Sequence, residues 1–472
     1  MKRKWVFVGL AVLTLAVDSA PANNLQVTNV TVSGRDDSTA YVNFDITWEN
    51  SWRYTNINHD AAWVFFKVLP EGSNAWQHVK LEGSGTNPTD YATGTGTGIE
   101  IGVPSDRVGL FVRRSVEGSG TTSVRNVKAV WNFASNSLTK SDMVRMQVLA
   151  LEMVFVAEGA FAAGSGGSES SAFTLTTINT NKANVVPSGS GSLGGQAGGY
   201  PTGQTAPNVS WPNGYAAFYS MKYEITQGQY TDFLNTLTSF QATSRYSSVS
   251  TGSRYTIGTN TVGVYINGAP DRACNFLSWA DGCAFADWAG LRPMTELEFE
   301  KACRGPLTPV ANEYAWGNTT LSATTAIGND GTGTDTATGG NCNYDGCSPD
   351  GPFRVGIYAT ASSSRVAAGA SYWGIMELSG NLWERTVTIG VVAGRAFTGQ
   401  HGNGELASDG NANVTAWPGT SADGSGFRGS GFSWTAAAAC VSDRASAATI
   451  IATRANGYGF RAVRAVPSGA GP

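Results

Sequence analysis

Between Asn23 and Val156 apolar residues recur at every second position, and after Val156 that period stops. Leu25, Val27, Val30 and Val32 lead into Tyr41-Val42-Asn43-Phe44-Asp45-Ile46-Thr47-Trp48. The runs Ala62–Val68, Val108–Val112, Val124–Trp131 and Val144–Val156 follow. β-Branched and aromatic runs of this kind, bounded by Gly, Asn, Asp and Ser, bury one face each. They predict an antiparallel sandwich of roughly six or seven strands. The Gly/Thr-rich stretch Gly83–Gly98 predicts a long loop.

Beyond Val156 the chain is punctuated rather than periodic. Glycine supplies 59 of the 472 residues, and only 14% are charged, against about 25% in an average soluble domain. That balance excludes a coiled coil, a Lys/Glu-rich bundle and a charged disordered chain. Residues 163–214 are dominated by Gly, Ser, Asn and Pro. Within them Gly189-Ser190-Gly191-Ser192-Leu193-Gly194 matches a dinucleotide fingerprint in letters only, because Pro187 precedes it and no helix start follows. Three short helices are predicted next. Thr226 with Gln229 forms a capping box ahead of Tyr230, Phe233 and Leu234; Ser278 caps a second helix carrying Trp279, Phe285 and Trp288; Thr295 with Glu298 opens a third, stopped by Gly305. From 306 to 432 regular structure is expected to be sparse, with short β-like runs such as Thr386–Val392.

The charge balance is 31 Lys+Arg against 35 Asp+Glu, net −4, so no basic excess is available for a phosphate backbone and no nucleic-acid partner is expected. Met1-Lys2-Arg3-Lys4, an apolar run Trp5–Val17 and Ala20-Pro21-Ala22 have the form of an export signal over residues 1–22. The run is too short to span a bilayer, and no later stretch is long enough, so a secreted or cell-surface location without a membrane span is expected. Six Cys in an exported chain suggest disulfides, with Cys342–Cys347 the first candidate pair because they bracket a short turn. No two Cys are spaced as in a structural zinc ribbon, and no GxSxG elbow supports a serine hydrolase.

From about Met153 onward an ordered set of motifs is present: Met153–Phe161, Tyr223-Glu224-Ile225-Thr226, Trp288-Ala289-Gly290-Leu291-Arg292-Pro293-Met294-Thr295-Glu296, Tyr314-Ala315-Trp316-Gly317-Asn318, Gly380-Asn381-Leu382-Trp383-Glu384 and Gly459-Phe460-Arg461. Together they resemble the formylglycine-generating enzyme, or sulfatase-modifying factor, family. The resemblance implies an α+β, C-type-lectin-like domain of low regular secondary structure over residues 151–472. It would follow an all-β immunoglobulin- or fibronectin-like sandwich over residues 23–150.

Family enzymes oxidise a substrate cysteine to formylglycine with O₂ and a copper(I) ion held by two thiolates, which suit that soft ion. The resemblance places those thiols after Arg428-Gly429-Ser430-Gly431-Phe432. Cys440 fills the second position, while Trp434 or Thr435 stands at the first. One thiolate does not make the pair, so copper is not expected, no catalytic residue is assigned, and Cys440 is a remnant. Cys303 matches a half-cystine position in relatives whose partner position is here Ala445, which makes Cys440 a candidate replacement partner. The three-His iron site of the related sulfoxide synthases draws on a separate helical domain; it is not expected either, because the N-terminal part is β-rich and His59 and His78 lack the HxxxH spacing.

Calcium sites carry over better, since calcium takes carboxylates and main-chain carbonyls on irregular loops. Glu377, Gly380, Leu382 and Glu384 resemble the family's second calcium loop, and Asn343, Tyr344 and Asp350 its first. The leading expectation is therefore a non-catalytic exported protein whose ligand-binding residues are Trp434, Cys440 and Arg444, directed at a protein or glycan. Its alternatives are a copper-dependent formylglycine-generating oxidase or other oxidoreductase, a diversified ligand-binding protein of the lectin type, and a surface component that self-associates.

Overall fold

The computed structural model describes residues 24–181, 207–248 and 252–466. The export-signal segment 1–22 and the Gly189–Gly194 stretch lie outside the described residues. The chain is mostly β with few helices. Strands β1 (Gln26–Gly34), β2 (Thr39–Thr55), β3 (Asn58–Pro70), β4 (Ile99–Val103), β5 (Leu110–Arg114), β6 (Gly118–Asn132) and β7 (Val144–Val156) come first. They are followed by β8 (Phe218–Met221), β9 (Glu384–Val387), β10 (Ser425–Arg428) and β11 (Ala462–Ala465). Each run named from the alternation is a strand; β4 is an addition, its Ile99, Ile101 and Val103 buried.

One 13-stranded sheet carries most of these strands, in the order Arg292–Pro293, β11, β8, β7, β3, β2, β6, with β1 beside β2 and β5 beside β3. Strand β7 runs through the expected junction at 150/151. Its residues Val144–Val154 pair antiparallel with Pro70–Asp60 of β3, and Met153–Val156 pair with Met221–Phe218 of β8. The two halves of the chain are thus joined by main-chain hydrogen bonds.

Strand β3 is the wall between two cores. Ala62, Val64, Phe66 and Val68 pack with Val42, Phe44, Ile46, Val127 and Ala129 on one side. Ala61, Trp63 and Phe65 pack on the other with Met153, Phe155, Trp288, Leu291 and Phe460. This corrects the reading of Ala62–Val68 as a strand with one buried face: successive side chains point to opposite faces, and both faces are covered. His59, Trp63 and Lys67, on the second face, reach Tyr219, the Ala289 carbonyl and the Trp288 carbonyl at 3.0, 2.8 and 2.8 Å.

The second core is built from α1 (Gln227–Asn235), α3 (Trp279–Trp288) and α4 (Glu296–Arg304), each opened by a reciprocal capping box at Thr226/Gln229, Ser278/Asp281 and Thr295/Glu298. A further short helix, α2 (Ser239–Arg245), is capped the same way by Thr238 and Gln241. Gly282 inside α3 is required by contact: a Cβ there would lie 2.0 Å from the Phe460 ring. Past Gly305 loops predominate, as the composition implies, and β9 pairs with β10 to start the segment of interest.

Candidate functional site

The strand β10 and the loop after it, Gly429 to Arg444, carry the residues singled out from the sequence, and the structure sends them to three different places. Arg444 is fully buried. Its Nε lies 2.7 Å from Glu296 Oε2, and its guanidinium stacks 3.6 Å from the centroid of Phe173. Arg428 joins the same carboxylate at 3.1 Å and reaches Glu300 at 2.8 Å. Arg304 bridges Glu300 and Glu313, with Ser442 donated to by Arg304 at 3.0 Å. Burial would raise the Glu296 carboxyl, but Arg444 and Arg428 outweigh it and hold the group below its usual range. Arg444 is therefore a structural charge and not a ligand contact, because no face of its guanidinium is left for solvent.

Trp434 lies on a different surface, half-buried. It meets Trp383 edge-on at 5.7 Å and stacks over Tyr458 at 6.4 Å. Phe427 packs beneath Tyr458 at 4.6 Å, and the Arg385 guanidinium lies 4.5 Å over Phe427. Gly457 permits this: a Cβ there would enter the Trp434 ring at 2.2 Å. The result is an aromatic face, held in place from below by a buried cation.

Cys440 occupies the third place, a buried cluster with Tyr314, Trp316, Cys342 and Ala439. Its thiol donates to the Asn312 carbonyl at 3.4 Å. Burial, with the nearby charges of Glu169, Asp443 and Glu313, pushes it up to about 12. Cys342 donates to the Ser379 carbonyl at 3.1 Å, and burial raises it well above an ordinary thiol. All six Cys are free. The expected Cys342–Cys347 bridge is not formed, since Cys347 donates to the Cys342 carbonyl instead. The Cys303–Cys440 alternative is not formed either: Cys303 is buried in α4 while Cys440 belongs to the cluster around Tyr314. The denatured chain should accordingly titrate six thiols with a chromogenic disulfide. In the native state at pH 8 Cys440 should react about a thousandfold more slowly than free cysteine, in proportion to its thiolate fraction. A count of four or fewer would sink this description.

Comparison with known proteins agrees with the motifs read from the sequence between Met153 and Arg461. A profile described as "Sulfatase-modifying factor enzyme 1-like domain" covers residues 140–466. The chain belongs to this family. Among relatives, a formylglycine-generating enzyme of Streptomyces coelicolor is 45% identical over 53 residues, 11% of this chain and 16% of the relative. A hercynine oxygenase of Mycolicibacterium thermoresistibile is 32% identical over 118 residues, 25% of this chain and 21% of the relative. A second, from Mycolicibacterium smegmatis, is 31% identical over 131 residues, 27% of this chain and 25% of the relative. The match thus spans a quarter or less of each of these proteins. Treponema denticola variable protein 1 superposes with a TM-score of 0.33 at 12% identity, over 67% of this chain and 96% of that one.

Within this sulfatase-modifying-factor-like domain, the residues do not fit a copper(I) dithiolate. The first thiol position holds an aromatic or hydroxyl side chain, and both Cys440 and Cys342 are protonated donors to carbonyls. They do not fit a three-His iron site. His59 bonds Tyr219, His78 lies 2.6 Å from the Val108 carbonyl, and His401 accepts from the Ala465 N–H at 2.9 Å.

Glu377 and Glu384 are buried and each keeps one carboxylate oxygen without a partner among the described residues. Glu384 pairs with Arg461 at 2.7 Å, and Glu377 accepts from the Gly356 N–H at 2.7 Å. Glu224, a residue sequence reasoning passed over, accepts from Leu382 N–H at 2.8 Å and from Asn381. Burial and mutual repulsion raise Glu224 well above the carboxylate range, and burial raises Glu377 up to about 7. Gly380 and Leu382 stand between the two glutamates, their N–H groups already used by Gly429 and Glu224. From the other loop, Asn343 bonds Asn381 at 3.0 Å, Tyr344 is half-buried, and Asp350 is exposed at the surface. Among the described residues no group of three or more His, Cys, Asp or Glu side chains is arranged around a common metal position. A cation here would draw on two carboxylates plus main-chain oxygen.

Proposed function

We propose that this chain is an exported, non-catalytic binding or surface protein that uses a formylglycine-generating-enzyme-like scaffold to present the Trp434–Tyr458 face to a protein or glycan. The observation that carries the reading is the setting of Cys440: a buried thiol at the second position whose pKa burial pushes up to about 12, with the half-buried Trp434 where the first thiol belongs. The oxidase alternative needs two thiolates, and no neighbouring group lowers the pKa of either candidate. Residues 23–150 would serve as an immunoglobulin-like platform fused to that scaffold, supported by the core shared between β2, β6 and the even-numbered side chains of β3. The test is oxygen consumption by copper(I)-treated full-length protein with a cysteine-containing peptide. A blank is expected, and turnover that disappears in Cys440→Ala would overturn the reading.

We further propose that calcium is held between Glu377 and Glu384 as a structural ion. The unpartnered oxygens and the mutual repulsion of Glu224 with Glu384 and Glu377 support it. The sign of its pH dependence follows from Glu377. Its folded-state pKa is about 7 against an ordinary 4.5, so without a cation the folded state binds the extra proton. Stability of the metal-free protein therefore falls as pH rises from the ordinary value towards the folded one, and is flat above it. Calcium should raise the melting temperature strongly at pH 8 and little at pH 5, where protons hold the site. At a hundredfold excess over Kd the gain is about 2.7 kcal/mol. Equal shifts at both pH values, or none relative to a chelator, would rule the site out.

A further inference from the structure

The loop 411–420 folds over α3 and leaves a cavity of about 240 Å³ between them. Trp279 of α3 and Trp417 of the loop form its walls, with Asn411, Thr415, Thr420 and Cys283 among the other lining residues. Both indole N–H groups are already engaged, Trp279 with the Pro418 carbonyl at 2.9 Å and Trp417 with the Gln400 carbonyl at 2.8 Å. The rings are thereby fixed in orientation; Trp279 is fully buried behind the cavity, and Trp417 keeps 7% of its surface exposed.

No charged side chain lines this space. The two carboxylates of α3 are already engaged: Asp281 with Arg454 at 2.6 Å and Arg245 at 3.3 Å, and Asp287 as acceptor from the Asn403 and Asn413 N–H groups at 2.9 and 2.8 Å. An ionised ligand would lose its hydration without gaining a counter-charge. Asn411 gives its amide N–H to Asp409 at 2.7 Å, while its side-chain carbonyl oxygen is buried with no partner among the described residues. An unsatisfied acceptor of that kind costs about 1–3 kcal/mol until a donor reaches it. The Thr415 and Thr420 hydroxyls stand on exposed loop positions beside it. The volume is below the roughly 300–1,000 Å³ of sites for drug-sized molecules, so the space suits a single ring.

We propose that this cavity binds one neutral pyranose ring, its C–H face against the Trp417 indole and its hydroxyl edge towards Asn411, Thr415 and Thr420. A purely apolar ring would fill the volume but leave the Asn411 acceptor unpaired. The site is separate from the Trp434–Tyr458 face and stands whether or not that face binds a partner.

The experiment uses the full-length protein with D-glucose, D-galactose, D-mannose and N-acetyl-D-glucosamine as probes, read by saturation-transfer NMR and calorimetry. At least one of the four should bind, and D-glucuronate should bind more weakly than D-glucose. Trp417→Ala and Thr415→Trp should each weaken binding about tenfold or more, a loss of about 1.4 kcal/mol. The second variant fills the mouth from an exposed position and is expected to leave the fold intact. The sugar should also slow modification of Cys283 by a small thiol reagent. The proposal is overturned if none of the four sugars binds, or if Thr415→Trp binds as well as wild type. Loss of binding in Trp434→Ala would overturn it by placing the sugar on the other face. Preference for N-acetyltryptophanamide over every sugar would overturn it by showing an apolar site.

Discussion

Glu296→Ala should destabilise the folded chain by about 3–5 kcal/mol, the range for removing one partner of a buried ion pair. The carboxylate accepts from Arg444 at 2.7 Å, Arg428 at 3.1 Å, Thr388 at 2.9 Å and the Ile389 N–H at 2.8 Å, all in a region without exposed side-chain surface. Without it, Arg444 loses the Glu296 charge while Phe173 still covers it, and Arg428 keeps Glu300 and the Val441 carbonyl. Glu296→Gln should fall between wild type and alanine, since an amide oxygen still accepts but carries no charge. The measurement is a urea unfolding midpoint at constant slope. As a control, removing the exposed carboxylate of Asp37, which meets Lys140 at the surface, should leave the midpoint unchanged. A Glu296→Ala midpoint equal to wild type would show that the network is dispensable.

Trp63→Ala should cost a comparable 3–5 kcal/mol, the usual range for truncating a buried aromatic, about as large an effect as any single core change. Trp63 is fully buried, tilts against Phe111 at 4.8 Å, lies 4.4 Å beneath the Arg464 guanidinium and donates to the Ala289 carbonyl at 2.8 Å. Its strand and Phe111 belong to the first half of the chain, while its Ala289 and Arg464 contacts belong to the second. The wild-type protein should therefore unfold in one transition, seen equally by probes in either half. A fragment starting at residue 140, where the family profile begins, would lack Ala61, Trp63 and Phe65 from its core and the partner strand of β7. It should show no cooperative unfolding. A soluble fragment with a sharp transition, or two transitions in the full chain, would contradict the shared wall.

Much of this architecture is legible in the sequence. Period-two runs mark β1, β2, β6 and β7, and three Thr or Ser caps mark α1, α3 and α4. Strand β3 is harder, because a strand covered on both faces loses the polar half of the pattern. Helix α2 reads Ser-Phe-Gln-Ala-Thr-Ser-Arg and has too little apolar face to declare itself. The site is less legible for a simpler reason. Arg444 and Glu296 are separated by 148 positions, so their pairing is invisible to local spacing. A signal was nevertheless present: Glu296 and Glu300 share one face of a helix whose neighbours Leu297 and Phe299 are apolar, so buried guanidinium partners were to be expected. Glu224 offered no such sign, since its partners Asn381 and Leu382 come from a distant loop.

The common wall also limits how this molecule can diverge. Val64 and Trp63 are consecutive on one backbone yet belong to different cores. A change of volume at one shifts the carbon skeleton on which the other is mounted. Exposed loop positions such as Ser433, Thr415 and Thr420 belong to neither core and are free to vary in sequence. A lineage of such proteins should accordingly preserve β3 as a nearly fixed spine while its recognition loops diversify.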